Sequence, residues 1–216
     1  AAAMAARAAE PLRGPAGRAA SYPGWGMDGA ALHGAVPAER WCISKEDLTF
    51  FQRAVAEEVA QGRILPTGRD AFDPRDVRNG PSMYTVVDAY LKPLTEDAGR
   101  MSWALLRNPG GLTCSVFITH CWAEGVYEFV NKVVRSWPPR GRGAWCCIFA
   151  NPQGLDIGGL INDPASSPFA VALRSTSCVM VVPTTRCSIY TRIWCIYEAH
   201  LAVESGSIVF TAFRKV

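Results

Sequence analysis

One carboxylate in an apolar segment is the first candidate for chemistry in this sequence. Glu198 lies within SIYTRIWCIYEAHLAVESG, residues 188–206, where Ile, Trp, Tyr and Leu side chains would cover most of a helical circumference. A helix of this kind is expected to be buried on more than one face, so its carboxylate must face solvent, find a partner or take part in a reaction. If it takes part in a reaction, a fixed carboxylate such as that of Glu198 can stabilise positive charge that develops during bond cleavage.

Three polar or aromatic segments follow apolar, strand-like runs and could surround Glu198. They are THCWAEG at 119–125, NPQGLDIGGLINDP at 151–164 and PTTRCSIY at 183–190. The carboxyl ends of parallel strands meet at one edge of a sheet, where a small polar ligand with a flat ring would bind. The predicted ligand-binding residues are Thr119, His120, Trp122, Asp156, Arg186, Tyr190 and Trp194.

The adjacent His120 and Cys121 raise the alternative of a thiol nucleophile with its base. Neighbours in sequence rarely point in the directions that such a pair needs, so we favour a different role for His120, lining the crevice or hydrogen-bonding a loop. His200 lies two positions after Glu198 on a different helical face and is expected to be structural.

The eight cysteines show neither a C-x-x-C pair nor the spacing of a zinc site, so no metal is predicted. Several lie inside apolar runs, where free Cys behaves as a small hydrophobic residue. We expect all eight to be unbridged in a reduced cytoplasmic protein, with an organelle transit peptide at the N-terminus as the alternative localisation. Cys146 and Cys147, adjacent in a predicted strand, should point to opposite faces of the sheet.

The order of apolar segments predicts an α/β fold with a flavodoxin-like parallel sheet. Short continuous apolar runs indicate four buried strands, at 114–119, 145–150, 178–182 and 207–212. Helical patterns separate them, as right-handed crossover connections require.

The part of the chain before this sheet is predicted to be a helical and loop-rich extension, residues 22–111, preceded by a disordered tail at 1–21. Its clearest helix covers Lys45 to Gln61, with Ser44 as the N-cap and an apolar stripe that should pack on the sheet domain. A shorter helix is expected to end at Pro93. The α/β domain is predicted at 112–216, with a truncated C-terminus.

Charge and hydropathy exclude two classes of partner. The formal net charge is only +3 and the basic residues are scattered, which argues against nucleic-acid binding. No apolar run reaches the roughly 18 residues that a membrane span needs, so no membrane partner is predicted.

Two segments resemble the Toll/interleukin-1 receptor (TIR) domain family. CSVFITHCW, at 114–122, is similar to the first strand of that family and the loop after it. SPFAVALRSTSCVMVVPTTRCSIYTRIWCIYEAHLA, at 167–202, is similar to its helix, strand and a second helix that opens with W-C-x-x-E, here Trp194, Cys195 and Glu198. The resemblance covers roughly residues 112–214 and implies a sheet with strand order 2-1-3-4.

The resemblance also implies a function. In TIR domains that cleave NAD, the Glu of W-C-x-x-E is the catalytic residue, which assigns cleavage of the nicotinamide–ribose bond to Glu198, with NAD as substrate and no cofactor. Other TIR domains are scaffolds, which implies homotypic self-association as the alternative. A third possibility is a nucleoside deoxyribosyltransferase-like enzyme, which also places a glutamate beside a ribose. The chain departs from the family at DIGGLINDP, where an R-D-x-x-P-G-like motif is usual, and at Ala199, where Leu is usual.

Overall fold

Four short strands form one parallel sheet in the computed structural model, which describes residues 21–154 and 163–213. The strands are β1 (Cys114–His120), β2 (Gly143–Cys146), β3 (Cys178–Val182) and β4 (Ile208–Thr211). Their order is β2-β1-β3-β4, and every neighbouring pair is parallel. The predicted α/β, flavodoxin-like fold and its strand order are therefore confirmed.

Helices precede the sheet and connect its strands. They are α1 (Gly29–Ala35), α2 (Lys45–Ala60), α3 (Met83–Val86), α4 (Lys92–Ala98), α5 (Trp103–Arg107), α6 (Val126–Arg135), α7 (Cys147–Ala150), α8 (Pro168–Ser175) and α9 (Ile193–Glu204). A π-helical turn, Val87–Leu91, joins α3 to α4, and 3-10 turns occur at Ala38–Arg40 and Ile189–Thr191. The prediction for the N-terminal tail falls on residues 1–20, outside the described residues.

Strand β1 lies at the centre of the sheet because it is apolar along most of its length. Val116, Phe117 and Ile118 are almost completely buried, and the Phe117 ring stacks on Trp145 of β2 with ring centres 5.1 Å apart. Strand β4 is an edge strand, and Ile208 and Val209 are at least half exposed. Polar groups at the carboxyl end of β1 are therefore surrounded by protein, whereas those at β4 face solvent.

Helix α2 packs on the sheet domain, as its apolar stripe predicts. Ser44 caps it: the Ser44 hydroxyl accepts a hydrogen bond from the Asp47 amide, and the Asp47 carboxylate accepts one from the Ser44 amide. Leu48, Phe51 and Val55 are completely buried, and α2 contacts α6. The extension and the sheet thus share one hydrophobic core.

Backbone bridges from the extension reach both ends of the sheet. Ile43 pairs antiparallel with Ala144 beside β2, and Ser82 pairs with Gly125 in the loop after β1. A side chain at position 125 would collide with Asn79 O, since an added Cβ would lie 2.2 Å from it. The extension therefore forms part of the surface at the carboxyl edge of the sheet.

The second predicted strand and the end of the short helix are wrong. β2 ends at Cys146, and Cys147 begins α7, so these two cysteines do not alternate along a strand. An apolar run alone cannot distinguish a buried strand from a buried helical turn. Pro93 does not end a helix but lies in the first turn of α4, where its missing N–H is tolerated.

Within residues 21–154 and 163–213, no helix has the length and apolar character needed to cross a membrane.

Candidate active site

Glu198 lies on the buried side of α9. The helix begins at Ile193, after Arg192 in an extended conformation, and its buried side chains are Cys195, Glu198, Leu201 and Ala202. Only 6% of Glu198 is exposed. The carboxyl group is therefore held in the protein interior, as its apolar neighbours in the sequence indicate.

Burial changes the acid strength of Glu198. Loss of solvation raises its pKa to about 7, and the Thr119 hydroxyl and the Arg192 guanidinium offset part of the increase. The hydroxyl oxygen of Thr119 is buried and has no well-aligned hydrogen-bond partner within the described residues. This hydroxyl lies at the carboxyl end of β1, beside a carboxyl that is close to half-ionised at neutral pH.

His120 connects two further groups at the same edge. Its Nδ1 lies 2.6 Å from Glu124 Oε1, and its Nε2 lies 3.5 Å from Cys147 Sγ. The side chains of His120 and Glu124 are completely inaccessible to solvent. The His120 ring also packs against Phe129, with ring centres 4.9 Å apart. These contacts give the imidazole one orientation.

Trp122 lies between this cluster and the extension. Its indole Nε1 donates a hydrogen bond to Cys147 Sγ at 3.3 Å. Its ring centre is 5.5 Å from that of Tyr84 and 5.3 Å from the Arg192 guanidinium carbon. The predicted stacking residue is thus already contacted by two side chains, and a flat ligand would have to replace one of them.

Glu124 is a second buried acid near the carboxyl end of β1. Burial raises its pKa well above the ordinary value, the negative charge of Glu128 raises it further, and Lys132 and Arg192 act in the opposite direction. Glu128 has its own partner, because Lys132 Nζ donates to Glu128 Oε1 at 2.7 Å and also contacts the Pro183 carbonyl. Glu124 has no such lysine, and its Oε2 is buried without a hydrogen-bond partner in the described part of the chain.

Two predicted ligand-binding residues have other contacts, a third is exposed to solvent, and a fourth cannot be placed. Arg186 donates a hydrogen bond to Gly80 O at 3.1 Å and lies 3.7 Å from Asp70, so it holds the extension. Tyr190 is 62% exposed. Trp194 packs edge-to-face on Phe169, with ring centres 5.1 Å apart. Asp156 lies outside the described residues.

Tyr190 does not lie on the same helix as Trp194 and Glu198. Tyr190 belongs to a separate 3-10 turn, because the chain becomes extended at Arg192 before α9 begins. For the same reason Arg192 does not point away from Glu198 but affects its pKa. A helical wheel drawn through residues 190–201 is valid only from Ile193 onward.

The expectation that all cysteines are free is wrong for one pair. A disulfide joins Cys121, directly after β1, to Cys187 in the loop after β3. β1 and β3 are neighbours in the sheet, so their carboxyl-end loops meet even though 66 positions separate the two cysteines. The other six cysteines are unbridged.

Sequence reasoning omitted Cys147, Glu124 and Arg192 from the site. Glu124 follows His120 by four positions within the first loop, a spacing that could have suggested the contact. Cys147 was hidden by the wrong strand assignment, and Arg192 by the wrong start of the helix.

A cavity of about 400 Å³ lies elsewhere, lined by Ser115, Pro138, Pro139, Arg140 and Gly141. Ser115 is near the amino end of β1, so this cavity is at the opposite edge of the sheet from Glu198. Among these described lining residues only Arg140 is ionisable, and an arginine alone offers neither a nucleophile nor a general base. We therefore assign the candidate chemistry to the carboxyl edge.

The described residues include no group of three or more His, Cys, Asp or Glu side chains arranged to hold a metal ion. No protein-family model matches the chain, and no curated protein or solved structure matches it either. The structure therefore identifies the fold as an α/β flavodoxin-like sheet, and the function is argued from the site.

Proposed function

We propose that this chain cleaves the nicotinamide–ribose bond of NAD, with Glu198 as the carboxylate beside the ribose. The observation that carries the proposal is the buried position of Glu198 at the sheet, beside the buried Thr119 hydroxyl, with the pKa of Glu198 raised to about 7. The resemblance of W-C-x-x-E to the TIR family supports the same residue. A parallel α/β sheet of order 2-1-3-4 is consistent with that family.

The reaction needs few groups. As the bond between ribose C1′ and the nicotinamide nitrogen breaks, positive charge develops on the sugar, and the Glu198 carboxylate stabilises it. Nicotinamide leaves as a neutral molecule and takes the electron pair of the broken bond. Water then attacks C1′ and loses a proton, which gives ADP-ribose. No metal is required for any of these steps.

Neighbouring side chains have defined parts in this proposal. The Thr119 hydroxyl, which is close enough to lower the pKa of Glu198, can hydrogen-bond a ribose hydroxyl bound beside that carboxyl. Arg192 supplies positive charge for the diphosphate of the dinucleotide, since its guanidinium is at the same site. The ionised form of Glu198 is the active one, so the rate of nicotinamide release should increase as pH rises through about 7.

The experiment is to incubate the purified chain with NAD and measure free nicotinamide. Glu198→Ala should abolish release and Glu198→Gln should lower it by at least about 100-fold, because the amide cannot carry the negative charge. Glu204→Gln is the matched control, since Glu204 is an exposed glutamate of the same helix and pairs with His200 at the surface. Release that is unchanged in Glu198→Gln would disprove the proposal. Release of base from a deoxynucleoside but not from NAD would favour the deoxyribosyltransferase-like alternative.

Self-association is a second candidate, because the edge of the sheet is apolar and exposed. Ile208 is 66% and Val209 50% exposed on β4, and Phe213, two positions after the strand, is 73% exposed. An apolar edge strand is a surface on which another copy of the chain can pair. Light scattering should show a complex that Val209→Lys dissociates, whereas Val77→Lys, at an exposed valine in a loop of the extension, should not. A monomer at every concentration would exclude this candidate.

A further inference from the structure

We propose that Cys147, His120 and Glu124 form a reactive centre of their own, in which the Cys147 thiol attacks a small activated acyl group, an ester or a thioester. Sγ of Cys147 is 3.5 Å from His120 Nε2, and His120 Nδ1 is 2.6 Å from Glu124 Oε1. Nucleophile, base and positioning carboxylate thus follow one another in a single chain of contacts. This centre does not depend on the NAD reaction.

The His120 imidazole is fixed in an orientation that suits a base for the Cys147 thiol. Glu124 binds Nδ1, so Nε2 is the nitrogen that faces the sulfur. Neither His120 nor Glu124 has any side-chain exposure, and Phe129 packs against the ring. Because the ring cannot turn, Nε2 stays within reach of the thiol proton. Glu124 acts through His120 and is therefore a positioning residue.

The Cys147 sulfur has a second polar contact, with a side chain in the loop after β1. Trp122 Nε1 donates to Cys147 Sγ at 3.3 Å. Its N–H therefore points at the atom on which negative charge develops when the thiol loses its proton to His120. A cysteine buried only for packing needs neither contact.

Accessibility selects Cys147 and limits the substrate. Its neighbour Cys146 is completely buried, whereas Cys147 is half-buried and can meet a molecule from solvent. His120 and Glu124 lie beneath it with no exposure. A small acyl group with a good leaving group can reach the sulfur, while a folded protein chain cannot reach the base.

The proposed step balances as follows. The thiol proton passes to His120 Nε2, and the thiolate forms a bond to the carbonyl carbon of the ester. The tetrahedral intermediate collapses, the carbon–oxygen bond of the leaving group breaks, and the leaving group takes the proton from the imidazolium. Water, deprotonated by the neutral imidazole, then attacks the Cys147 thioester, which releases the acid and restores the thiol.

The first experiment uses the unmodified chain with its disulfide intact, treated with p-nitrophenyl acetate without reductant. We expect a burst of one equivalent of p-nitrophenol and one acetyl group on the peptide that contains Cys147. Cys178 is the internal reference, because it is also free and half-buried but lies at the amino end of β3 and hydrogen-bonds no histidine in the described structure. Acetylation of Cys178 as fast as Cys147 would overturn the proposal even if no variant folds.

Variants then test the base. Cys147→Ser should remove the burst, and His120→Gln should slow acetylation by about 100-fold. Cys178→Ser and His200→Gln are the matched controls, because neither residue contacts the centre, and both should react as the unmodified chain does. A His120→Gln variant that keeps its fold and reacts at the original rate would contradict the role of His120 as base.

Glu124→Gln tests positioning, because the amide keeps the size of the side chain but cannot provide the negative charge that would face the imidazolium formed in the step. The pH at which acetylation reaches half its maximal rate should fall, since the imidazolium loses a stabilising partner and the neutral base therefore persists to lower pH. Other charged or titratable groups that face this cluster are Glu128, Lys132, Cys146, Arg192, Cys195 and Glu198. These groups are the same in the unmodified chain and in Glu124→Gln. A purely structural role for Glu124 would lower the rate at every pH without this change in midpoint. That result would refute the assignment of Glu124 as a positioning residue.

Discussion

Arg192 lies over the Trp122 ring, with 5.3 Å between its guanidinium carbon and the ring centre. The same guanidinium donates a hydrogen bond of 3.5 Å to the His120 carbonyl. The residue before α9 is thereby attached to the loop after β1. This contact places a positive charge near Glu198 and Glu124, the two buried acids of the site.

Replacement of Arg192 should make Glu198 a weaker acid. The guanidinium favours the ionised carboxylate, so Arg192→Gln should move the pKa of Glu198 to a higher value than about 7. A carboxyl carbon signal in an NMR titration reports this directly. Arg140→Gln is the control, because Arg140 is exposed at the opposite edge of the sheet and should leave the titration unchanged. A titration of Glu198 that is the same in Arg192→Gln would show that the contact does not persist in solution.

Glu198 should make the protein less stable as pH rises from about 4.5 to about 7. Its pKa is about 7 in the folded protein and near 4.5 when unfolded, so the folded state binds the proton more tightly. Stability is therefore greatest below pH 4.5 with respect to this group, and about 3 kcal/mol of it is lost by the upper end of this range. Urea unfolding of the unmodified chain and of Glu198→Gln, at pH 5 and pH 8, gives the contribution as the change in their difference. A difference that is equal at both pH values would contradict the raised pKa.

Substitution of Asp47, a buried polar residue, should strongly lower the free energy of unfolding. It is almost completely buried, completes the N-terminal cap of α2, and accepts hydrogen bonds of 2.8 Å from both Arg107 Nε and Asn108 Nδ2. Asp47→Ala removes all of these contacts and leaves Arg107 without its carboxylate, so unfolding free energy should fall by about 3–5 kcal/mol. Glu46→Ala, one position earlier in the same helical turn, should change it by less than about 0.5 kcal/mol. Chemical denaturation measures both, and equal effects would refute the role of Asp47.

The Cys121–Cys187 disulfide should stabilise the arrangement of the two loops. It closes a segment with a sequence separation of 66, for which chain entropy predicts about 4 kcal/mol. Intact mass before and after reduction should differ by two protons in the native protein. Reduction, or a Cys121→Ser and Cys187→Ser double variant, should lower the free energy of unfolding, while Cys114→Ser should leave the mass difference unchanged. A mass that does not change on reduction would show that the bond is absent.

Much of the fold was predictable from local sequence pattern. The apolar runs at β1 and β3 and the capped stripe of α2 were assigned with errors of no more than about one residue, because each pattern has one period and clear boundary residues. The run at 145–150 failed, since a continuous apolar segment has no period from which to separate strand from helical turn. The start of α9 failed because Ser188 and Arg192 both resemble helix boundaries, and only the extended backbone at Arg192 separates them.

The sequence by itself determined a parallel α/β sheet and the burial of Glu198, because apolar periodicity reports which faces must avoid water. Only the tertiary structure decided which polar groups meet. Parallel strands bring residues that are far apart in sequence to one edge, so His120 meets Cys147, and Cys121 meets Cys187, through strand order and not through spacing. The extension also determines the partner of Arg186. Its guanidinium hydrogen-bonds the Gly80 carbonyl, which belongs to a loop more than a hundred positions earlier in the chain. Local sequence encodes burial, whereas side-chain partners depend on the register and order of strands.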